Sequence, residues 1–407
     1  MLDRSSRRVG LAIVGLGGGV ATTAVAGLEL MRQGEIGAAG LPLAGRDVIG
    51  LVDTAQLAIM GWDFDGTDLA TALAGHRVLS ERQIEAVAPR LSRITPLPAV
   101  CDPQFCRNVT GGNVIRGNSK RAVAEQVRRD IEAFRAENAL GRVVVINLAS
   151  TERIAELDHP ELADIDAFEA AIDADSPRIS PAMLYAHAAI TAGCPYGNFT
   201  PSAAAEVPAL LALAERHRVP VAGRDGKTGQ TFMKTVIAPA LRARSLTVDG
   251  WYSTNILGNR DGLALHDPDS LKSKLGTKGD VLDSMLGYKV ENHIVDIKYY
   301  PPRGDDKEAW DNIDVSGFLG HKMQIKVNFL CRDSILAAPL VIDIARCLDL
   351  AHERGEAGPV EALGVFFKAP LTRDGAPVHA FFEQERAFEA WLAGVAAPVL
   401  PVLETAN

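Results

Sequence analysis

Ala222-Gly-Arg-Asp-Gly-Lys-Thr-Gly-Gln-Thr231 begins at the end of a short apolar run, VPVAG, and leads into FMKTVIAPAL. Read in order, this is a buried strand, a loop opened by Gly226 and Gly229, and a helix. Thr228, Gly229, Gln230 and Thr231 then fall at the helix N-terminus, where backbone N–H groups lack intrahelical partners and the positive end of the helix dipole lies. With two threonine hydroxyls and Lys227 beside them, these residues suit an anion such as phosphate. Alone, the stretch reads equally well as a glycine-rich turn with a threonine N-cap. Its neighbours decide between the two.

Upstream, the same strand–loop–helix order recurs. Val9 to Val14 is an apolar strand, Gly15 to Gly19 (GLGGG) a glycine loop, and Val20 to Arg32 a helix with an apolar side. This is the setting of a dinucleotide fingerprint: Gly15 for the tight turn, Gly17 for close approach of a pyrophosphate, Gly18 and Gly19 opening the helix. Val20 stands where the third glycine of the pattern would be, and an ordinary strand-to-helix turn is the competing reading. A second strand is expected at Asp47 to Val52, ending at Asp53. An acid there accepts the ribose hydroxyls of NAD and repels the 2′-phosphate of NADP; its plainer role is to cap the following turn. Residues 61–65 and 102–119 read as loops. A helix is expected over Arg121 to Leu140, then a strand, RVVVINL, running into Ala149-Ser-Thr-Glu152. Ser150 and Thr151 thus lie at a strand's carboxyl end, where open α/β sheets bind ligands. Helices over Ser180 to Ala192 and Ala203 to Arg216 continue the alternation, which argues for a doubly wound parallel sheet.

After residue 244 the texture changes. Leu246 to Asn255, Lys289 to Tyr300 and His321 to Leu330 alternate apolar and polar residues, as half-buried antiparallel strands do. Helical pattern returns from Cys331, with Asp333 or Ser334 as N-cap. VEALGVFFKAPL reads as an apolar strand ending near Lys368, and a last helix covers Ala380 to Leu392. The expected division is a nucleotide-binding domain over 1–244, an α+β domain over 245–332, and a segment over 333–407 that returns to the first domain. With 407 residues the chain exceeds one ordinary core. The net charge of −9 argues against a general nucleic-acid or membrane-surface role, so an anionic ligand needs a local basic pocket. No apolar run reaches the length of a membrane span. Five cysteines without metal-ligand spacing suit reduced thiols, so a cytoplasmic location is expected.

Four lysines carry the remaining signal: Lys274, Lys278, Lys307 and Lys368. Lys274 and Lys278 share a face if helical, an arrangement common on any solvated surface. Lys368 interrupts an apolar stretch, where an ammonium group needs a partner. Ammonium groups converging on an anion-binding helix end clamp a phosphate and stabilise a developing oxyanion. Asp225, Asp261 and Asp333 are carboxylates close to these motifs.

Taken together, GLGGG with ATT after it, GWDF, NLASTER, NFTP, AGRDGKTGQT, STNILGNRDG, SLKSKLGTK, PPRGDDKEAWD, DSILAAPL and FFKAPL resemble the myo-inositol-phosphate synthase family, over nearly the whole chain and in its shorter bacterial and archaeal form. The resemblance implies an α/β fold: an NAD-binding Rossmann doubly wound parallel sheet with an inserted α+β domain for catalysis and oligomerisation. It implies conversion of D-glucose 6-phosphate to 1D-myo-inositol 3-phosphate for inositol and inositol-phospholipid synthesis. NAD⁺ would oxidise C5, loss of a C6 proton would give an enolate, aldol attack on C1 would close the ring, and the retained NADH would reduce the product. By the same resemblance, Thr228, Gly229, Gln230, Thr231 and Lys278 match the phosphate contacts. Lys274, Lys307 and Lys368 match the lysines that stabilise oxygens and move protons, and Asp225, Asn255, Asp261 and Asp333 match active-site acids and amides. Gly15, Gly17, Gly18, Gly19, Val20, Asp53, Ser150, Thr151 and Asp225 form the expected NAD contacts. A divalent or monovalent cation and a homotetramer are further expectations of the family. The alternatives are an NAD-dependent dehydrogenase and a cyclase acting on another sugar phosphate.

Overall fold

The structure is a computed structural model and describes residues 7–106, 111–153, 155–258 and 279–395. Strand β1 (Val9–Val14) is apolar on both sides and wholly buried. It leads through the glycine loop into α1 (Gly19–Arg32), then to β2 (Leu57–Asp63), α2 (Leu69–His76), α3 (Glu81–Leu91) and the short β3 (Leu97–Pro98). There follow α4 (Lys120–Glu137), β4 (Arg142–Asn147), α5 (Ile165–Asp173), α6 (Pro181–Thr191), β5 (Tyr196–Asn198), α7 (Pro208–Arg216), β6 (Pro220–Gly223) and α8 (Gln230–Ala243). Beyond them lie β7 (Thr247–Leu257), α9 (Gly279–Leu286), β8 (Asn292–Tyr299), β9 (Asp306–Ser316) and β10 (Lys322–Arg332). The chain continues with α10 (Asp333–Glu353), β11 (Gly358–Pro359) and α11 (Phe381–Leu392).

Seven strands form one parallel sheet in the order β11-β6-β5-β4-β1-β2-β3. Side chains alternate between its faces. Ala12, Val14, Val143 and Val145 pack on the side of α4, α6 and α7. Leu11, Ile13, Val144 and Ile146 pack on the side of α1 and α10. The strand order turns back between β4 and β2 on either side of β1, and Val14, Trp62 and Asn147 end these strands at one level. That edge is the ligand-binding position of a doubly wound sheet. Helix α10 and strand β11 bring the chain after residue 332 onto the sheet begun at residue 9.

Several expectations need correction. The second strand is Leu57–Asp63, not Asp47–Val52. Gly50 has φ +89°, which breaks an extended run, and Asp53 caps a 3-10 turn, its Oδ1 accepting from Ala55 N at 2.8 Å. The true strand needs a glycine: a Cβ on Gly61 would lie 2.0 Å from the Ile13 carbonyl oxygen. Residues 61–63 are therefore strand and not loop. Helix α7 begins at Pro208, and residues 361–366 form a 3-10 turn in place of a strand.

The second sheet has four strands in the order β10-β9-β7-β8. β9 is antiparallel to both neighbours, but β7 and β8 run parallel, because the chain crosses over through α9 between them. β9 is a strand the sequence pattern conceals: its core-facing row is Ala309, Asp311, Ile313 and Val315, an acid standing among apolar residues. One face of this sheet packs on α8 and α9 through Trp251, Val248, Ile313 and Leu282. Its other side exposes Tyr252, Ile294 and Leu330.

Candidate active site

The cleft of about 610 Å³ at the carboxyl edge of the seven-stranded sheet runs from α2 to β9. Its floor is the glycine loop. Gly15 has φ +83°, and a Cβ there would be 3.0 Å from the Ala149 backbone, so the turn is closed to other residues. Gly17, Gly18, Gly19 and Val20 line the cleft at the start of α1. Asp63, at the end of β2, accepts from Gly17 N at 2.9 Å. It therefore occupies the place beside the loop expected of Asp53, which lies exposed at the other end of β2 and lines no part of the cleft. The sequence signal for Asp63 was GWDF at the end of the apolar run LAIMGW.

Ser150 and Thr151 line the same cleft. So does Glu152, which sequence reasoning passed over. It is buried, its Oε1 accepting from Ala182 N at 2.9 Å at the start of α6, while Oε2 has no hydrogen-bond partner among the described residues. Burial pushes its carboxyl up to about 7, against hydrogen bonds from Ser180 and Ala182 that hold it down.

Around the far end the AGRDGKTGQT loop is woven into two neighbouring segments. Asp225 N donates to Thr200 O and Gly226 N to Phe199 O, while Lys227 N donates to Phe366 O. Lys368 N donates to Asp225 O at 2.7 Å, and Lys368 Nζ to Asp225 Oδ1 at 2.7 Å. The ammonium of Lys368 therefore has the partner its burial requires. Lys307 Nζ donates to Asp333 Oδ1 at 3.2 Å, and Thr228 Oγ1 donates to the same oxygen at 3.4 Å. A Cβ placed on Gly229 would lie 3.6 Å from Lys307 Nζ, which puts this ammonium against the N-terminus of α8. Asp333 is the first residue of α10 and not its cap; Asp305 takes that role, accepting from Ser334 N and from Ser334 Oγ at 2.7 Å. The N-termini of α1, α8 and α10 thus face one cleft, and their dipoles favour negative charge there.

Besides Asp53, four expected site residues stand apart from the cleft's lining. Gln230 and Asn255 bond to each other, Asn255 Nδ2 donating to Gln230 Oε1 at 2.6 Å, and both side chains are buried under the second sheet. Gly229 and Thr231 also stand outside the lining, at the start of α8, with Thr231 buried. Lys227, expected beside the anion, is turned away. Its ammonium donates to Gln384 Oε1 and lies 5.7 Å from the Phe381 ring centroid, and burial pulls it down to about 7. Asp261, Lys274 and Lys278 lie outside the described residues. Among the described residues no group of three His, Cys, Asp or Glu side chains is placed to hold a metal ion, and no helix is long and apolar enough to cross a membrane.

A glycine cradle at the switch point with an acid on the adjacent strand places the chain in the class of Rossmann-type dinucleotide-binding proteins. The family described as Myo-inositol-1-phosphate synthase matches residues 41–393. Inositol-3-phosphate synthase 1 of Bacteroides thetaiotaomicron is 40% identical over 402 residues, with 93% of each chain covered. Inositol-3-phosphate synthase of Dictyostelium discoideum is 32% identical over 441 residues, covering 95% of this chain and 85% of that one. The crystal structure of inositol-3-phosphate synthase from Caenorhabditis elegans superposes with a TM-score of 0.89 at 30% identity, covering 97% of this chain and 87% of that one. The chain belongs to the myo-inositol-1-phosphate synthase family, an NAD-binding family.

Proposed function

We infer that the protein is an NAD-dependent isomerase that converts D-glucose 6-phosphate to 1D-myo-inositol 3-phosphate. The observation that carries this reading is the pair of ammonium–carboxylate contacts, Lys307–Asp333 and Lys368–Asp225, at the mouth between the nucleotide cleft and the start of α8. Bound NAD⁺ supplies the oxidation at C5 and, once reduced, the closing reduction. The chain supplies the rest. Backbone N–H groups at residues 229–231 and the Thr228 hydroxyl hold the phosphate. Lys307, beside Gly229, sits between that phosphate and Asp333, where it neutralises charge on a substrate oxygen. Lys368, held by Asp225, carries a proton at Nζ next to the cofactor side of the cleft. Asp63 would hold the ribose hydroxyls of the dinucleotide, with Ser150 and Thr151 lining the same cleft. Lys274, Lys278 and Asp261 complete the proposed set through the family resemblance.

The proposed division remains 1–244, 245–332 and 333–407. The same reading takes the protein as a cytoplasmic homotetramer joined through the exposed face of the second sheet, which sedimentation would test. A cation assisting the phosphate would reveal itself as activity lost to a chelator or to exchange of ammonium and potassium for a larger ion. The central experiment supplies D-glucose 6-phosphate with catalytic NAD⁺ and follows inositol phosphate and NADH absorbance together. Product without accumulated NADH supports the isomerase. Stoichiometric NADH without a cyclised product would make the protein a dehydrogenase and sink the proposal.

A further inference from the structure

Helix α8 begins without a side-chain cap. Its N-cap is Gly229, so the first turn's N–H groups are left to a ligand and nothing within the loop ties them down. They are held from the opposite side. The Gln230 side chain points away from the cleft into the second sheet, where Nε2 donates to Asp311 Oδ2 at 3.2 Å. It also reaches the carbonyl oxygens of Thr254 (3.3 Å) and Trp310 (3.4 Å), residues paired across β7 and β9. Asp311 is itself fixed: its other oxygen accepts from Trp251 Nε1 at 2.7 Å and from Ser253 Oγ at 2.6 Å, Ser253 being its cross-strand partner. One turn along α8, Lys234 stands over the Trp251 ring at 5.6 Å and within 2.7 Å of His293 Nε2.

A carboxylate in the core-facing row of a strand is costly unless hydrogen bonds satisfy it. Trp251 and Ser253 satisfy one oxygen; the second is aimed at the first residue of the helix. We propose that Asp311 is a positioning residue for the substrate phosphate: acting through Gln230, it clamps the first turn of α8 so that the N–H groups of residues 229–231 converge on a phosphate in the cleft. This rests on the reading that the phosphate binds at that helix end. Asp311 touches no substrate; it sets the geometry of donors that do, and it couples the second sheet to the phosphate affinity of the first.

The test measures kcat and KM for D-glucose 6-phosphate, the affinity of the NAD-loaded enzyme for inorganic phosphate, and the affinity for NAD. In Asp311→Ala, KM and the phosphate Kd should rise about tenfold, the worth of a hydrogen bond to a charged group, with NAD affinity unchanged. Asp311→Asn should recover only part of the loss: its Oδ1 still accepts from Trp251 and Ser253, but turning the Gln230 amide to accept from its Nδ2 sets Gln230 Oε1 against the carbonyl oxygens of Thr254 and Trp310. Gln230→Met keeps the helix and its volume and removes the link, so it should match Asp311→Ala even where the latter folds poorly, and the double variant should add nothing further. Unchanged phosphate affinity in both single variants, or additive losses in the double, would overturn the proposal. Parallel loss of NAD and phosphate affinity would mark Asp311 as merely structural and overturn it too. The underlying site is checked separately: if Thr228→Val and Lys307→Ala leave phosphate affinity unchanged, the phosphate reading itself fails.

Discussion

Lys227 should weaken the fold at neutral pH. The residue is 4% exposed, its ammonium donating to the Gln384 amide oxygen with the Phe381 ring alongside. Burial lowers it from 10.5 to about 7. Below pH 7 folded and unfolded chains both carry the proton, and the whole charging cost is present. Between 7 and 10.5 the unfolded chain binds more protons than the folded one, so stability from this group rises with pH. At ~1.4 kcal/mol for each tenfold change in proton affinity, the cost is on the order of 5 kcal/mol at pH 6.5 and about 2 kcal/mol at pH 9. Lys227→Met removes it at both. The variant leaves Gln384 Oε1 without its donor, at about 1–3 kcal/mol whatever the pH. Lys227→Met should therefore be more stable than the parent at pH 6.5 by about 2–3 kcal/mol and close to it at pH 9. Urea unfolding of the NAD-free proteins at the two pH values measures the difference. An advantage that does not shrink by about 2–3 kcal/mol between them would refute the reasoning, because a lost contact does not titrate.

Three other outcomes follow from the site. Asp63→Ala should weaken NAD binding at least about tenfold, while Asp53→Ala should leave it unchanged and cost only a turn cap; equilibrium NAD titration separates them, and the reverse result would restore Asp53 to the ribose. Lys307→Ala should lower turnover by about 10²–10³ with NAD affinity retained, read from steady-state rates and a parallel titration. Glu152, raised from 4.5 to about 7, binds its proton more tightly when folded, so its contribution is complete below pH 4.5 and is lost as pH rises through 7. Glu152→Gln should match the parent near pH 5 and exceed it by on the order of 3 kcal/mol at pH 8.5; a constant difference would remove the buried titration.

The nucleotide half was legible because its signals are local. A glycine loop between an apolar strand and a helix needs only adjacent residues to be read, and Gly15, Ser150 and Thr151 stand where that reading put them. The loop and the helix after it were read correctly along the backbone, with α8 starting at Gln230, directly after Gly229. What failed was side-chain direction. Lys227 and Gln230 flank the anion site in sequence, but Gln384 and Asp311, 157 and 81 residues away, draw them to the opposite side. Asp53 misled because DVIGLV resembles a strand, while the Gly50 backbone and the close packing of Gly61 against β1 are tertiary facts. β9 was hidden by the acid in its buried row, and that acid means something only beside Trp251, Ser253 and Gln230.

Helix α10 starts in the cleft at Asp333 and Ser334 and then packs along α1. Its Asp343 accepts from Leu43 N across 300 positions, and Asp349 pairs with Arg142 across 207. Contacts so distant along the chain form late, since their loop-closure entropy is spent before they stabilise anything. During synthesis the glycine loop leaves the ribosome long before the helix that walls it in. Until residue 353 has emerged, the nascent sheet carries an open apolar face where α10 belongs, and it lacks the Asp333 oxygen that holds Lys307. The emerging chain thus exposes apolar surface of the kind that chaperones cover, and its dinucleotide pocket is completed in the last stretch, not the first.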